Sequence, residues 1–246
     1  MQNYAIIPAR YSSTRLPGKP LVTIGGKPMI QHVYERTALC PRLCKVVVAT
    51  DDTRIMTAVE SFGGNCVLTR ADHRSGTDRL NEAAELLGLA DDDLVINVQG
   101  DEPFVEPSMI GMLIEAATES DSEMATLAFP SEDMDEFLDP NCVKVVMDGS
   151  KKALYFSRAP IPFSRDVQRG KQTFLKHLGF YAYRRWFLRQ ITALAAGELE
   201  TAERLEQLRA LENGYSIRVA LSPVDSLSVD TPADLEKVRV ISEKRR

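Results

Sequence analysis

The chain has 246 residues, of which 44% are hydrophobic, and a formal net charge of −5. This length and apolar content fit one large α/β domain, or two small ones, with a packed core. The acidic balance argues against a general nucleic-acid-binding protein, so we expect no nucleic-acid partner. No apolar run approaches the ~20 residues of a membrane helix, and the N-terminus lacks the pattern of a signal peptide, which predicts a cytoplasmic protein without a membrane partner.

Strands alternate with helices in the first half of the chain. The predicted strands are Tyr4–Ala9, Lys45–Thr50, Cys66–Thr69 and Leu94–Val98. The predicted helices are Met29–Leu39, Thr53–Phe62, Asp78–Leu87 and Pro107–Thr118. This alternation predicts βαβ units and a mostly parallel, Rossmann-like α/β sheet flanked by helices. Ligands of such sheets bind beyond the carboxyl ends of the strands.

The alternation weakens after residue 123, where strands follow one another with few helices between them. The predicted strands of this part are Met124–Pro130, Val143–Asp148, Ala153–Ser157, Leu178–Tyr183 and Ser216–Leu221. They predict an antiparallel lobe. The remaining predictions are a helix over Glu200–Glu212, a strand-like run over Leu227–Val229, and a final helix that Thr231 caps.

A basic loop follows the first predicted strand. It contains Arg10, Arg15 and Lys19, Lys27 follows it, and the first carboxylate of the chain is Glu35. This local positive charge in an acidic protein indicates an anion site, although a solvated surface loop remains an alternative. The loop has neither the Walker A nor the GxGxxG spacing, which argues against a Rossmann dehydrogenase. Backbone N–H groups and cations in such a loop suit a polyphosphate.

Two aspartates lie where a predicted strand or strand-like run ends. Asp101 follows the strand Leu94–Val98, and Asp230 follows Leu227–Val229. Because Mg²⁺ takes one or two protein carboxylates and completes its shell with phosphates and water, both are candidate Mg²⁺ ligands. The alternatives are an ordinary turn aspartate and an aspartate that precedes a helix start.

Further polar residues stand at the next helix start and in the second half. The segment 73–78, HRSGTD, can contact a base or a sugar, or its Ser75 or Thr77 can simply cap the helix. Arg158 can bind a carboxylate through two parallel hydrogen bonds. By itself, His177 is more typical of a strand histidine whose hydrogen bonds are made within the protein. Glu206 and Gln207 are more typical of the solvent-exposed face of a helix.

The cysteines and histidines do not predict a zinc site. The four cysteines form no CxxC pair, and the three histidines are scattered. Free thiols in a reducing compartment are the better interpretation.

Seven stretches, in the same order along the chain, resemble the 3-deoxy-manno-octulosonate (Kdo) cytidylyltransferases. They are IIPARYSSTRLPGKPL, HRSGTDR, VQGDEP, ALYFSRAPIP, HLGFYAY, LEQLRAL and VDTPADLE. The family couples CTP to Kdo, giving CMP-Kdo and pyrophosphate for lipopolysaccharide synthesis. The resemblance implies a nucleotidyltransferase of α/β fold, usually a homodimer, that uses Mg²⁺.

The resemblance also implies roles for individual residues. The implied catalytic residues are Arg10, Lys19, Asp101 and Asp230, of which Asp101 and Asp230 hold the metal. The implied nucleotide-binding residues are Pro8, Ala9, Arg10, Ser13, Arg15, Lys19, Arg74, Ser75, Gly76, Thr77 and Gln99. The implied sugar-binding residues are Arg158, His177, Tyr181, Glu206 and Gln207.

We predict a single nucleotidyltransferase domain over residues 1–246. Residues 1–123 form mainly its CTP-binding half, residues 124–225 its sugar-binding and dimer lobe, and residues 226–246 the metal-ligand loop and final helix. The expected partners are CTP and a 2-keto-3-deoxy sugar acid, either Kdo or a close analogue such as 8-amino-Kdo. The alternatives are a cytidylyltransferase for a nine-carbon acid of the sialic-acid type and a non-catalytic CTP-binding protein.

Overall fold

The computed structural model describes residues 1–12, 16–165 and 172–244. The chain divides into two units, one formed by Met1–Gly111 with Ser226–Arg246 and the other by Met112–Asp225. The C-terminal segment therefore belongs with the first half of the chain. The single nucleotidyltransferase domain stays a prediction.

The first unit contains a parallel sheet. Its strands are β1 (Asn3–Ala9), β4 (Lys45–Thr50), β5 (Cys66–Leu68) and β6 (Leu94–Asn97), in the order β6-β1-β4-β5, and a short antiparallel hairpin is formed by β2 (Thr23–Ile24) and β3 (Lys27–Pro28). Ala5, Ile6 and Ile7 of β1 are fully buried, because helices cover both faces of a parallel sheet. All four carboxyl ends therefore meet at one edge.

The helices of the first unit begin where the sequence provides capping groups. They are α1 (Met29–Ala38), α2 (Thr53–Ser61), α3 (Gly76–Leu86), α4 (Pro107–Thr118, which contains the boundary between the units) and α9 (Pro232–Lys244), with a 3₁₀ turn at Lys19–Leu21. Asp52 caps α2. Ser75 and Asp78 form a capping box on α3, so the predicted capping by Ser75 is confirmed and the helix begins two residues earlier than expected. Thr231 and Asp234 form the same motif on α9.

The second unit contains a mixed, largely antiparallel sheet. Its strands are β7 (Met124–Ser131), β8 (Lys144–Met147), β9 (Ala153–Ser157), β10 (Phe174–Arg184) and β11 (Ile217–Leu221). Along the path β11-β7-β10-β8-β9 only the β11-β7 pair is parallel. Its helices are α5 (Met134–Leu138), α6 (Arg185–Ala193), α7 (Glu198–Glu203) and α8 (Leu208–Glu212). The predicted α/β fold with an antiparallel second half is confirmed.

Two predicted elements of the later chain are wrong. The helix over Glu200–Glu212 is two helices, α7 and α8, because Arg204 adopts the left-handed conformation with a φ of 52° and ends the first. The run Leu227–Val229 is irregular. Val229 is apolar because it packs with Ile24 and Met29 in a buried cluster, not because it pairs in a sheet.

Two further observations concern the cysteines and the helices. The four cysteines are free thiols. Within the described residues, every helix is too short or too polar to cross a bilayer.

Candidate active site

The site lies at the carboxyl edge of the parallel sheet, where the chain leaves β1 and β6. Arg10 follows β1 directly, and Asp101 stands four residues beyond the end of β6. Between them the two exits approach closely, because a Cβ atom built on Gly100 would lie 2.8 Å from the backbone oxygen of Pro8. Glycine at position 100 therefore allows the turn 99–101 to lie against the end of β1.

Lys19 joins the two aspartates. Its Nζ lies 2.6 Å from Asp101 Oδ2 and 3.0 Å from Asp230 Oδ1. The backbone supports this arrangement, since the N–H of Val229 donates to the carbonyl of Asp101 at 2.9 Å. Two carboxylates that are 129 positions apart in the chain thus meet at one ammonium group.

The neighbouring carboxylates stabilise the positive charge of Lys19. Burial disfavours the ammonium form, but the carboxylates of Asp101 and Asp230 outweigh burial, so the pKa of Lys19 is raised. Lys19 is therefore a cation at neutral pH. With one positive and two negative charges, the group keeps an excess of one negative charge.

A cleft of about 390 Å³ opens beside this group. Its walls are the exits of β1 and β6, the 3₁₀ turn and the start of α3. The lining residues are Pro8, Ala9, Arg10, Ser12, Lys19, Pro20, Gly76, Gln99, Gly100 and Asp101. Gly76 is the first residue of α3, and the free N–H groups of a helix N-terminus attract anions. Arg10 and this helix start give the cleft two sources of positive potential, and Lys19 and Asp101 line it as members of the charged group.

The other predicted nucleotide-binding residues divide into two sets. Arg74, Ser75 and Thr77 flank Gly76. Of these, Arg74 is exposed, the hydroxyl of Ser75 accepts the N–H of Asp78, and Thr77 is buried. Ser13 and Arg15 lie outside the described residues.

Three residues of the site were absent from the sequence prediction. Gly100 stands between the predicted residues Gln99 and Asp101, and this position between them is the sequence feature that could have identified it. Tyr11 and Arg54 gave no signal, because their contact joins the basic loop to α2: the guanidinium carbon of Arg54 lies 3.3 Å from the centre of the Tyr11 ring.

A metal would find suitable ligands at the two aspartates. Within the described ranges, no three histidine, cysteine or acidic side chains form a group that could hold a metal ion. Mg²⁺ does not require three such side chains, since it binds through one or two carboxylates plus substrate phosphates and water. Asp101 and Asp230 already share one cation, the Lys19 ammonium, so the residues present fit Mg²⁺.

In the second unit, the predicted sugar-binding residues His177 and Tyr181 are neighbours on β10. Their ring centroids are 5.5 Å apart, and His177 Nε2 lies 3.0 Å from the hydroxyl of Thr126. Burial lowers the pKa of His177 to about 3. Burial also raises the pKa of Tyr181, and the charges of Tyr183 and Glu206 raise it further. Both rings are therefore uncharged hydrogen-bonding groups at neutral pH.

Glu206 and Gln207 occupy the break between α7 and α8, not the exposed face of a continuous helix. Gln207 is buried, and within the described residues its Nε2 has no hydrogen-bond acceptor. A buried amide donor without a partner is costly unless a ligand supplies the acceptor. The charge of Glu206 contributes to the raised pKa of Tyr181.

Arg158 is directed toward the protein backbone. Its guanidinium donates to the carbonyls of Glu203 at 2.7 Å, Pro140 at 2.9 Å and Arg204 at 3.4 Å. The carboxylate of Glu203 accepts the Arg158 N–H and the Ser157 hydroxyl. In this structure Arg158 therefore connects β9 with the end of α7.

Comparisons with known proteins agree on the family. A family model described as cytidylyltransferase matches residues 4–218. The chain is 61% identical over 239 residues to the 3-deoxy-manno-octulosonate cytidylyltransferase of Syntrophobacter fumaroxidans (strain DSM 10017 / MPOB), covering 97% of this chain and 96% of that protein. It is 55% identical over 234 residues to the 8-amino-3,8-dideoxy-manno-octulosonate cytidylyltransferase of Shewanella amazonensis (strain ATCC BAA-1098 / SB2B), covering 94% and 95%.

A solved structure leads to the same conclusion. CMP:2-keto-3-deoxy-manno-octonic acid synthetase complexed with CTP matches with a TM-score of 0.94 and 44% identity, covering 100% of both chains. The resemblance recognised in the seven sequence motifs is confirmed. The parallel sheet, the cleft at its carboxyl edge and these matches together show that this chain belongs to the cytidylyltransferase family.

Proposed function

We propose that the protein transfers the cytidylyl group of CTP to Kdo, giving CMP-Kdo and pyrophosphate. The observation that carries the proposal is the Lys19 ammonium held between Asp101 and Asp230, beside a cleft that Arg10 and the N-terminus of α3 also line. A carboxylate pair next to cationic groups suits a metal–triphosphate complex. The relative that is 61% identical over 97% of this chain acts, by its name, on Kdo.

Arg10, Lys19 and the first turn of α3 would hold the triphosphate. Arg10 and Lys19 supply charge, and the α3 N-terminus supplies backbone N–H groups. Pro8, Ala9 and Gln99 would form the remaining wall, as cleft-lining residues. Ser13, Arg15, Arg74, Ser75 and Thr77 remain proposed nucleotide contacts on the strength of the resemblance.

Asp101 and Asp230 would hold the proposed Mg²⁺. When bound, the ion supplies Lewis-acid chemistry, lowering the pKa of a coordinated hydroxyl and neutralising phosphate charge. The two side chains are suited to this role because the Val229–Asp101 backbone hydrogen bond and the capping motif of α9 hold the second aspartate beside the first.

The transfer is an in-line substitution at phosphorus. The 2-hydroxyl oxygen of the sugar acid bonds to the α-phosphorus, the bond from that phosphorus to the α,β-bridging oxygen breaks, and the hydroxyl proton passes to water. Pyrophosphate leaves with additional negative charge. Lys19 and Arg10 would stabilise that charge, which grows as the bond breaks.

The sugar acid would bind through groups of the second unit. His177 and Tyr181 are neutral and suit hydroxyl groups, Gln207 offers an unused donor, and Glu206 can accept from a hydroxyl. Arg158 remains the proposed partner of the sugar carboxylate. To take that role, its guanidinium must exchange at least one backbone carbonyl for the ligand.

8-Amino-Kdo is the second candidate acceptor, because the relative that is 55% identical is named for it. Both acids carry the same carboxylate and the same reacting 2-hydroxyl, so the proposed chemistry is unchanged.

The proposed setting is the cytoplasm, in lipopolysaccharide synthesis, with the protein acting as a homodimer. The four free thiols suit a reducing compartment. The described part of the second unit exposes several large apolar side chains, among them Leu138, Leu154 and Phe163, of which Phe163 is 89% exposed. Apolar side chains scattered singly over a surface are ordinary, so the homodimer is proposed from the resemblance to the family, whose members are usually dimers.

Pyrophosphate release tests the proposal. The purified chain is incubated with CTP, Mg²⁺ and, separately, Kdo, 8-amino-Kdo or sialic acid, with UTP replacing CTP as a control. We expect release with CTP and one of the eight-carbon acids. Release only with sialic acid would favour the nine-carbon alternative, and CTP binding without release would favour a non-catalytic protein.

A further inference from the structure

We propose that Tyr11, which contacts both Arg54 and Gly18, is a positioning residue that fixes Arg10 and Lys19, the cations at the two ends of the basic loop, for CTP. This proposal rests on the proposed function. We call Asp52, Arg54, Tyr11 and Gly18 the loop clamp. The four residues lie in the first unit, and the clamp connects the N-terminus of α2 with both ends of the loop.

One side of the Tyr11 ring is covered by Arg54, whose guanidinium carbon lies 3.3 Å from the ring centre. Asp52 fixes this guanidinium through two hydrogen bonds, from Nε at 2.9 Å and from Nη2 at 2.6 Å. The same carboxylate caps α2 by accepting the Arg54 N–H at 2.9 Å. The guanidinium is therefore anchored to a helix end and not free to leave the ring.

Tyr11 also contacts Gly18, where the loop ends. A Cβ atom at position 18 would lie 3.3 Å from the Tyr11 ring, and Gly18 has a φ of 67°. The N–H of Gly18 donates to the Tyr11 carbonyl at 3.1 Å. Glycine at position 18 therefore both adopts the left-handed backbone conformation without strain and leaves room for the Tyr11 ring.

The consequence is a fixed position for Lys19. Arg10 precedes the ring and Lys19 follows Gly18, so the clamp sets both cations that line the cleft. Cations that are already held in position lose less conformational entropy when they bind CTP. Removing the clamp should weaken CTP binding and leave the sugar affinity unchanged.

The test uses CTP titration without sugar, followed by steady-state kinetics. We expect Arg54→Ala and Tyr11→Leu each to weaken CTP binding about two- to fivefold, as an exposed cation–π contact predicts, with the KM for sugar unchanged. The double variant should be no weaker than the worse single variant. Tyr11→Phe keeps the ring and should keep the affinity.

Arg70→Ala is the matched control, because Arg70 pairs with Asp72 two residues away, as Arg54 does with Asp52, and both partners are exposed. It should bind CTP like the unmodified chain. Unchanged CTP affinity in Arg54→Ala, or additive losses in the double variant, would overturn the clamp, since additivity would indicate separate contacts. If the unmodified chain binds no CTP in the same titration, the proposed function fails instead.

Discussion

Gly100→Ala should damage the site through one atom. The added Cβ would lie 2.8 Å from the carbonyl oxygen of Pro8, 3.6 Å from a methyl group of Ile7 and 3.7 Å from a methyl group of Ile30. Only the first contact is too short. The carbonyl belongs to β1, whose Pro8 pairs in register with Ala49 of β4, so it cannot move without disturbing the sheet.

The size of the effect follows from that contact. Relief requires the turn 99–101 to move away from β1 by about half an ångström, and overpacking of this kind costs about 1–3 kcal/mol. Asp101 is the next residue and moves with the turn. Since a misplacement of about 1 Å can cost about 10²-fold in rate, we expect kcat to fall about tenfold.

Urea unfolding and pyrophosphate release measure the two effects. Gly111→Ala in α4 is the matched control, because among the described residues no atom outside its own helix comes within 4 Å of the added methyl group. Removing a helix-interior glycine should stabilise the chain by about 0.5–1 kcal/mol without loss of rate. A Gly100→Ala variant with the stability and turnover of the unmodified chain would refute the reasoning about the close approach.

Three further changes have defined outcomes. Lys19→Ala should weaken CTP binding more than sugar binding in separate titrations, because it removes a cation from the cleft; equal CTP affinity would contradict the phosphate role. Gly197→Ala should displace the Glu212 carboxylate that accepts the N–H groups of Leu199 and Glu200, costing about 1 kcal/mol in urea unfolding with CTP affinity intact. His177 has a folded-state pKa of about 3, so only the unfolded chain gains its proton between about pH 7 and about pH 5.5. The free energy of unfolding should therefore fall by about 1 kcal/mol on acidification over this range. His177→Gln should lose that part of the pH dependence, and an unchanged slope would show that His177 does not cause it.

Sequence periodicity predicted the parallel sheet well because its strands are buried on both faces. Runs such as KVVVAT admit few other interpretations, and β4 has the predicted bounds Lys45–Thr50. Because the carboxyl ends of parallel strands share one edge of the sheet, the positions of Arg10 after the first strand and of Asp101 after Leu94–Val98 are sufficient to predict that they lie at the same edge. Periodicity failed at Glu200–Glu212, since a left-handed Arg204 leaves no mark in the apolar pattern.

The contacts within the site were less accessible from sequence. The sequence around Val229 resembles a strand because both burial in a core and pairing in a sheet favour apolar β-branched residues. Only the structure shows that Val229 is buried in a core cluster without pairing in a sheet. Lys19 was predicted to hold phosphate, yet its bonds to Asp101 and Asp230 depend on a return of the chain after more than a hundred residues. Such long-range charge pairs have no local signature.

Turnover of Asp101→Asn, Asp230→Asn and the double variant tests the central claim, that both carboxylates serve one charged centre. Each single variant should fold and lose orders of magnitude in kcat, and the double variant should be little worse than the worse single, because residues that act as a unit are not additive. Near-normal turnover in either single variant, or a double-variant loss equal to the product of the two, would contradict a shared centre.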